Sequence, residues 1–264
     1  LQLTGSFKIR GAFNKLAMMD DKRRKNGVVA ASAGNHAQGL AYAAQHFGCE
    51  ATIFMPEATP LTKVSGVKSY GANVVLVGEN FDEAYATATK SALDNDKEFI
   101  HPFADDAVIA GQGTIALEIL EKIEDIEHII VPIGGGGLIS GIAIAAKAIN
   151  PNIKITGVVA SGARGMKDSF EARMPIDSAS VKTIADGIAV RDVTPKLLDI
   201  ILEYVDQIVE VTDNETANAI LFLLEKHKLV VEGAGAVATA AIMHKKVEIE
   251  NEKVCAIVSG GNID

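Results

Sequence analysis

The chain has 264 residues, of which 48% are hydrophobic and 22% charged, with a formal net charge of −9 and two cysteines. The acidic balance argues against nucleic acid or an anionic membrane as the main partner. No apolar run is long enough to span a bilayer, and no signal peptide is visible. Cys49 and Cys255 lie too far apart in sequence for metal-ligand spacing and read as reduced core residues of a cytoplasmic protein. The length is ample for a large core, and a start at Leu1 without methionine reads as the ordered part, or a fragment, of something longer.

The first pattern is "GSFKIRGA", residues 5 to 12, where Ile9, Phe13, Leu16 and Ala17 recur at helical spacing. Thr4 and Ser6 are of the types that cap helix starts. Lys8 is therefore expected in the first turn, where the helix dipole disfavours a cation and lowers an ammonium pKa. "DDKRRKNG" reads as a solvated helix end, and Met18 and Met19 as core or interface filler. Strands are then expected at Val28–Ser32, Ala51–Pro56, Asn73–Val77 and Phe99–Phe103, alternating with helices at Ala37–Phe47, Thr59–Tyr70, Phe81–Asn95 and Ala107–Lys122. Further strands are expected at His128–Ile133, Ile153–Ala160, Gln207–Val211 and Lys253–Ser259. Helices Leu138–Ile149, Thr194–Tyr204, Asn214–His227 and Ala234–His244 fall among them. Runs such as "HIIVPIG" and "VCAIVSG", apolar on both faces, belong in parallel sheets covered on both sides. The pattern is that of an α/β protein with open, doubly wound sheets. Residues 28–106 hold four strand–helix units, enough for a small sheet of their own, and the later units make a larger one.

In such folds ligands bind where strands turn into helices. "ASAGNHAQG", Ala31 to Gly39, offers Ser32, Gly34, Asn35 and His36 at a helix N-terminus, a nest suited to a carboxylate or phosphate, or an ordinary capped turn. "PIGGGGLISG", Pro132 to Gly141, feeds Gly134, Gly135, Gly136 and Gly137 into a helix at Leu138 and reads as a phosphate cradle, or a flexible loop. No Lys-Ser/Thr follows, so it is not a Walker loop. No acid follows the next strand either, where Ala160 and Ser161 stand, so it misfits a dinucleotide fingerprint. "VSGGNID" puts the hydroxyl of Ser259 at the end of the last strand, and Gly187 in "TIADGIAV" lets backbone approach a flat ring. A reactive lysine, a phosphate cradle, a second anion site and a hydroxyl for a ring nitrogen match pyridoxal 5'-phosphate beside an amino acid carboxylate.

On "GSFKIRGA", "ASAGNHAQG", "IGGGGL" and "SGGN", in this order and spacing, the chain resembles the fold type II pyridoxal-phosphate enzymes over essentially its whole length, and among them the threonine/serine dehydratases. The resemblance implies a tryptophan synthase β-like fold. Residues 1–27 and 107–264 then form a large cofactor domain, its N-terminal part preceding Leu1, and 28–106 a small mobile domain. It implies Lys8 as the Schiff-base lysine, Phe7 packing beside the cofactor and Asn35 bonding its phenolic oxygen. Gly134, Gly135, Gly136, Gly137 and Leu138 hold the phosphate, and Ser259 faces the pyridine nitrogen. Ser32, Ala33, Gly34, Asn35 and His36 surround the substrate carboxylate, and Gly187 and Glu232 line the site. The implied reaction is β-elimination from L-threonine or L-serine to 2-oxobutyrate or pyruvate plus ammonia, in a homodimer or homotetramer. Many members also carry a C-terminal regulatory extension.

Serine racemases of this fold are similar but carry a serine just before the Gly-Asn of the first turn, where this chain has Ala33, which transfers no proton. They also share a divalent-metal site after the strand matching Ile153–Ala160; with Ala160 and Gly162 in that neighbourhood here, no metal is expected. A nucleotide-binding oxidoreductase and an inactive protein are the remaining alternatives. His46, His101, His128, His227 and His244 are scattered without ligand spacing and read as structural or solvated.

Overall fold

The computed structural model describes residues 2–263. The chain divides into two compact units at Gly111/Gln112.

In the first unit, helices α1 (Lys8–Met18) and α2 (Asp21–Asn26) precede β1 (Val28–Ala31), α3 (Asn35–Phe47), β2 (Ala51–Met55), α4 (Leu61–Lys68), β3 (Asn73–Leu76), α5 (Phe81–Asp94) and β4 (Glu98–Phe99). The four strands are all parallel in the order β3-β2-β1-β4. Successive side chains of a strand point to opposite faces. Accordingly Val28 and Ala30 join Ala37 and Leu40 of α3 and Ala12 and Leu16 of α1 in one core layer. Val29 and Ala31 meet Phe54 and, from α5, Ala88 and Ala92 in the other. The edge strand β3 stays largely exposed.

α1 lies so close to its neighbours that a Cβ on Gly39 of α3 would sit 3.0 Å from the Ile9 nitrogen, and one on Gly111 2.5 Å from the Arg10 oxygen. These glycines, with the buried Ala12 and Leu16, place α1 in the first compact unit.

The second unit continues from α6 (Asp106–Lys122), within which the boundary falls. Its elements are β5 (His128–Pro132), α7 (Gly137–Ile149), β6 (Lys154–Ala160), α8 (Gly165–Ala172), a 3₁₀ turn (Asp186–Ile188), α9 (Pro195–Tyr204), β7 (Gln207–Val211), α10 (Asp213–His227), α11 (Gly233–Met243) and β8 (Val254–Ala256). The sheet is again parallel, in the order β7-β6-β5-β8. Ile130, Val158, Ala160 and Val211 pack against α11, whose buried residues are almost all Gly, Ala or Val. That composition lets α11 approach closely: a Cβ on Gly235 would lie 2.3 Å from the Gly260 oxygen, and one on Gly233 2.4 Å from the Ile184 oxygen.

Both sheets have the same logic. Strand order reverses beside β1 in the first and beside β5 in the second, leaving a crevice at the carboxyl ends of β1 and β4, and of β5 and β8. The expected Asn-containing turn and glycine turn follow β1 and β5.

Several local expectations are corrected. β4 stops at Phe99 instead of Phe103, because His101 and Pro102 redirect the chain: the His101 ring takes the N–H groups of Phe103 and Ala104, and Pro102 has none to give. α1 starts at Lys8 as expected, but its N-cap is Phe7 with no side-chain cap, and the buried Ser6 hydroxyl has no partner. The charged run forms a helix of its own, α2, whose start is capped by Asp20 accepting from Arg23 N at 2.7 Å. α8 was not anticipated. Met19 is buried, whereas Met18 is exposed. Cys49 and Cys255 are free thiols, buried and half-buried, and burial raises the pKa of both.

Candidate active site

The first unit presents Lys8. As the first residue of α1, its amine reaches the loop after β4 and donates to the Pro102 oxygen at 2.9 Å. The Phe7 and Phe103 ring centroids lie 5.4 and 6.0 Å from it, an aromatic setting that suits a cation or a flat conjugated group.

After β1 comes the turn Ser32–Gly34. Ser32 N is held by the Phe54 oxygen at 3.1 Å, and its hydroxyl accepts from Gly34 N at 3.2 Å. Gly34 is the N-cap of α3 and brings no side-chain cap; a Cβ there would meet nothing within 4 Å. Asn35 and His36 form the first turn of α3, so the positive end of the helix dipole faces open space at Gly34. Ala33 lies half-buried between Ser32 and Gly34 and carries no polar group.

His36 is buried at 2% exposure, with Nε2 2.9 Å from the Ile100 oxygen. A carbonyl accepts only, so the ring proton sits on Nε2, and Nδ1 is a buried acceptor with no partner. Burial first, and Lys8 second, push its pKa down to about 3. His101 is neutral for the same two reasons, at about 4. Its Nδ1 accepts from Phe103 N at 3.2 Å and Ala104 N at 2.9 Å, which leaves the proton on Nε2. His101 is the residue that sequence reasoning passed over. Its signal was positional: it follows the strand next to β1, on the same sheet edge as Ser32–His36, and strand adjacency cannot be read from spacing. The loop ends at Asp105, whose carboxylate accepts from Ala107 N (2.8 Å) and Val108 N (3.2 Å) and pairs with Lys15 at 2.7 Å. Burial works to raise its pKa, and Lys15 with these N–H groups holds it below the usual carboxylate range.

Two neutral histidines, His36 buried and His101 half-buried, make the first unit acid-sensitive. Their folded values lie below the unfolded value of about 6.5, so between that pH and about 4 the unfolded chain binds protons the folded chain excludes. Stability is expected to be full above pH ~6.5 and to fall below it, by at most about 1.4 kcal/mol per pH unit for each histidine. Urea denaturation at stepped pH, with and without His101→Asn, checks the slope.

The second unit presents the glycine run. Gly136, at φ 95° and ψ −11°, is the N-cap of α7, a conformation that favours glycine. Among the described residues, no backbone acceptor takes the N–H groups of Gly135, Gly136 and Gly137. A loop of bare N–H groups ending in a helix N-terminus is chemically a phosphate site. Gly134 is pressed against the 3₁₀ turn that carries Gly187: a Cβ there would lie 2.9 Å from the Ile188 Cα. Leu138 is buried directly behind the run.

Ser259 follows β8 and is 5% exposed; its hydroxyl lies 3.4 Å from the Ala234 oxygen in the first turn of α11. Glu232, the buried N-cap of α11, donates its own N–H to the Gly260 oxygen at 3.2 Å. The second unit thus brings the glycine run beside the Gly187 turn, and Ser259 beside Glu232. The first unit thus offers a lysine amine near two aromatic rings and an open helix start of the kind that suits a carboxylate, and the second a run of bare N–H groups of the kind that suits a phosphate.

No helix of the described residues is long and apolar enough to cross a membrane. The family model described as "Pyridoxal-phosphate dependent enzyme" matches residues 1–260. The L-threonine ammonia-lyase of Thermotoga maritima is 50% identical over 272 residues, covering 100% of this chain; the chain spans 66% of that relative's length. Among solved structures, the processed form of threonine deaminase isoform 2 from Solanum lycopersicum superposes with a TM-score of 0.95 at 40% identity, covering 100% of this chain and 77% of its own. Maize serine racemase gives a TM-score of 0.95 at 38% identity, covering 99% and 81%. Matched by that model over residues 1–260, the chain belongs to the family of pyridoxal-phosphate dependent enzymes.

Proposed function

We propose that this chain is the catalytic core of a dehydratase that converts L-threonine to 2-oxobutyrate and ammonia, and L-serine to pyruvate and ammonia. The observation that carries the reading is Lys8, whose amine sits near two aromatic rings and beside the loop at the carboxyl edge from which the turn Ser32–His36 also leaves. The likeness to an L-threonine ammonia-lyase and a threonine deaminase supports it.

In this reading Lys8 would hold the cofactor through its aldehyde, and the Lys8 amine would serve as the base that takes the proton from Cα of the substrate. Gly134, Gly135, Gly136, Gly137 and Leu138 hold the phosphate; Phe7, Asn35 and Gly187 line the ring. Ser32, Ala33, Gly34, Asn35 and His36 receive the substrate carboxylate at the start of α3, and Glu232 borders the site. Pyridoxal phosphate, when bound, supplies an electron sink for charge developing at Cα. Residues 28–106, against which α1 packs, serve as the small mobile domain and 1–27 with 107–264 as the cofactor-bearing part, in a cytoplasmic homodimer or homotetramer.

Ser259 tunes the reaction. A hydroxyl at the ring nitrogen does not hold a proton there as a carboxylate would, which weakens the sink and favours prompt loss of the β-hydroxyl. Ser259→Asp is expected to slow elimination about tenfold or more, read as 2-oxobutyrate formed per minute; unchanged turnover counts against this role.

A serine racemase is the second reading, favoured by the likeness to the maize enzyme. Racemisation needs a proton carrier on the opposite face of Cα, and Ala33 supplies none. Incubating the full-length protein with L-threonine and L-serine, and measuring 2-oxo acid and D-serine together, tests both. The dehydratase reading expects oxo acid to dominate; D-serine appearing as fast as pyruvate overturns it.

A further inference from the structure

The loop after β4 has no role in anything derived so far beyond accepting the Lys8 amine, yet each of its residues from Ile100 to Ala104 takes part in a hydrogen bond. Ile100 N is fixed by the Val29 oxygen at 2.8 Å, extending the β1–β4 pairing by one residue. The Ile100 oxygen takes the His36 Nε2 proton at 2.9 Å. His101 then folds its ring back so that Nδ1 takes two successive N–H groups, those of Phe103 and Ala104. Its face is backed by Phe103, centroid to centroid 4.6 Å at 85°. Between them Pro102, with fixed φ and no N–H, offers only its carbonyl, and that carbonyl meets Lys8. Two carbonyls two residues apart are thus pinned to two different helices, Ile100 to α3 and Pro102 to α1.

We propose that His101 and His36 are positioning residues: together they clamp the turn Ile100–Ala104 so that the Pro102 carbonyl forms a fixed dock for the Lys8 amine, from which it meets the cofactor aldehyde and the substrate. Neither histidine exchanges a proton in this role. His101 acts as an acceptor that shapes the turn, and His36 as a donor that anchors its start. Both are held neutral by burial and by Lys8, so the clamp adds no positive charge beside the amine. The charged groups of the first unit acting on this pair are Lys8 from α1 and Asp105 from the loop end, the latter paired with Lys15. The inference rests on Lys8 being the reacting amine.

The experiment compares substitutions that keep or remove the hydrogen bond while filling the same space. His101→Asn keeps an oxygen able to accept from the N–H two residues on; His101→Phe keeps the ring and loses the acceptor. In the full-length apoprotein, pyridoxal phosphate is added, trapped with borohydride, and the rate of label appearing on the Lys8 peptide is followed by mass spectrometry. kcat and KM for threonine and a thermal melt are measured alongside. His101→Phe is expected to slow labelling and kcat about tenfold or more with KM changed less than about threefold, and His101→Asn to stay within about threefold of the parent. Equal labelling in His101→Phe and the parent overturns the proposal. So does a loss in His101→Asn as large as in His101→Phe at an unchanged melting temperature, since the ring itself then matters and not the turn. Should His101→Phe not fold, the pair His36→Gln and His36→Leu reads the other clamp: Gln keeps an N–H for the Ile100 carbonyl, Leu does not, and equal labelling in both is again fatal. A parent protein that takes no label on Lys8 overturns the underlying reading, a result distinguishable from label that is present and indifferent to the clamp.

Discussion

Lys8→Ala is expected to leave a folded protein that no longer links pyridoxal phosphate covalently and turns threonine over at least about a thousandfold more slowly. The expectation of a normal fold comes from the surroundings. Lys8 is only half-buried at the first position of α1, where its amine donates to the Pro102 oxygen, and it lies outside the apolar core cluster that fixes the helix. Those are made by Ala12 and Leu16, and the helix is held to α3 through Gly39. Removing the amine therefore separates chemistry from structure. The measurement is the visible absorbance of the reconstituted protein together with 2-oxobutyrate formation. A variant that still takes borohydride-stable label at the same rate places the reacting amine elsewhere.

Gly136→Ala is expected to damage cofactor affinity, by about tenfold to a hundredfold, and to cost about 2 kcal/mol of stability. Two effects combine. The backbone at φ 95° is one that an L-residue adopts only with strain. The new Cβ would also lie 3.0 Å from Ile201 Cδ1 and 3.3 Å from Met166 Cε, tight enough that the loop or its neighbours must shift. Any shift at Gly136 moves the N–H groups of Gly135 and Gly137, on which the proposed phosphate site depends. Gly48 provides the comparison. It too has positive φ, 61°, but at the end of α3, where a Cβ would meet nothing within 4 Å. Gly48→Asn is therefore expected to cost less than about 1 kcal/mol and leave cofactor affinity untouched. Titrating pyridoxal phosphate into both apoproteins separates a phosphate cradle from a general intolerance of side chains at glycine.

The two neutral histidines show where local sequence information ends. His36 lies in a turn that the sequence singled out, and the backbone of that turn is where it was expected. Its ring, however, points away from solvent to the Ile100 oxygen, 64 residues on. His101 read as one more scattered histidine. What makes it notable is that β4 pairs with β1 while β2 and β3 lie on the far side of β1. The same pairing explains the shortened β4: an apolar run from Phe99 to Phe103 looks like a strand, but Pro102 and the His101 ring convert its end into a turn.

The sequence by itself determined what depends on near neighbours along the chain. Alternating β-branched runs and helical stripes determined the parallel α/β class. Residue order placed Lys8 at a helix start, a run of four glycines leading into α7 and a hydroxyl after β8, because each is a property of one turn. The tertiary structure decided which strands lie side by side, which sheet α1 covers, and which carbonyl receives the Lys8 amine. Those choices depend on apolar surfaces and backbone groups distant in sequence coming together, and any one of several partners would satisfy the same local pattern until the close contacts at Gly39 and Gly111 select one.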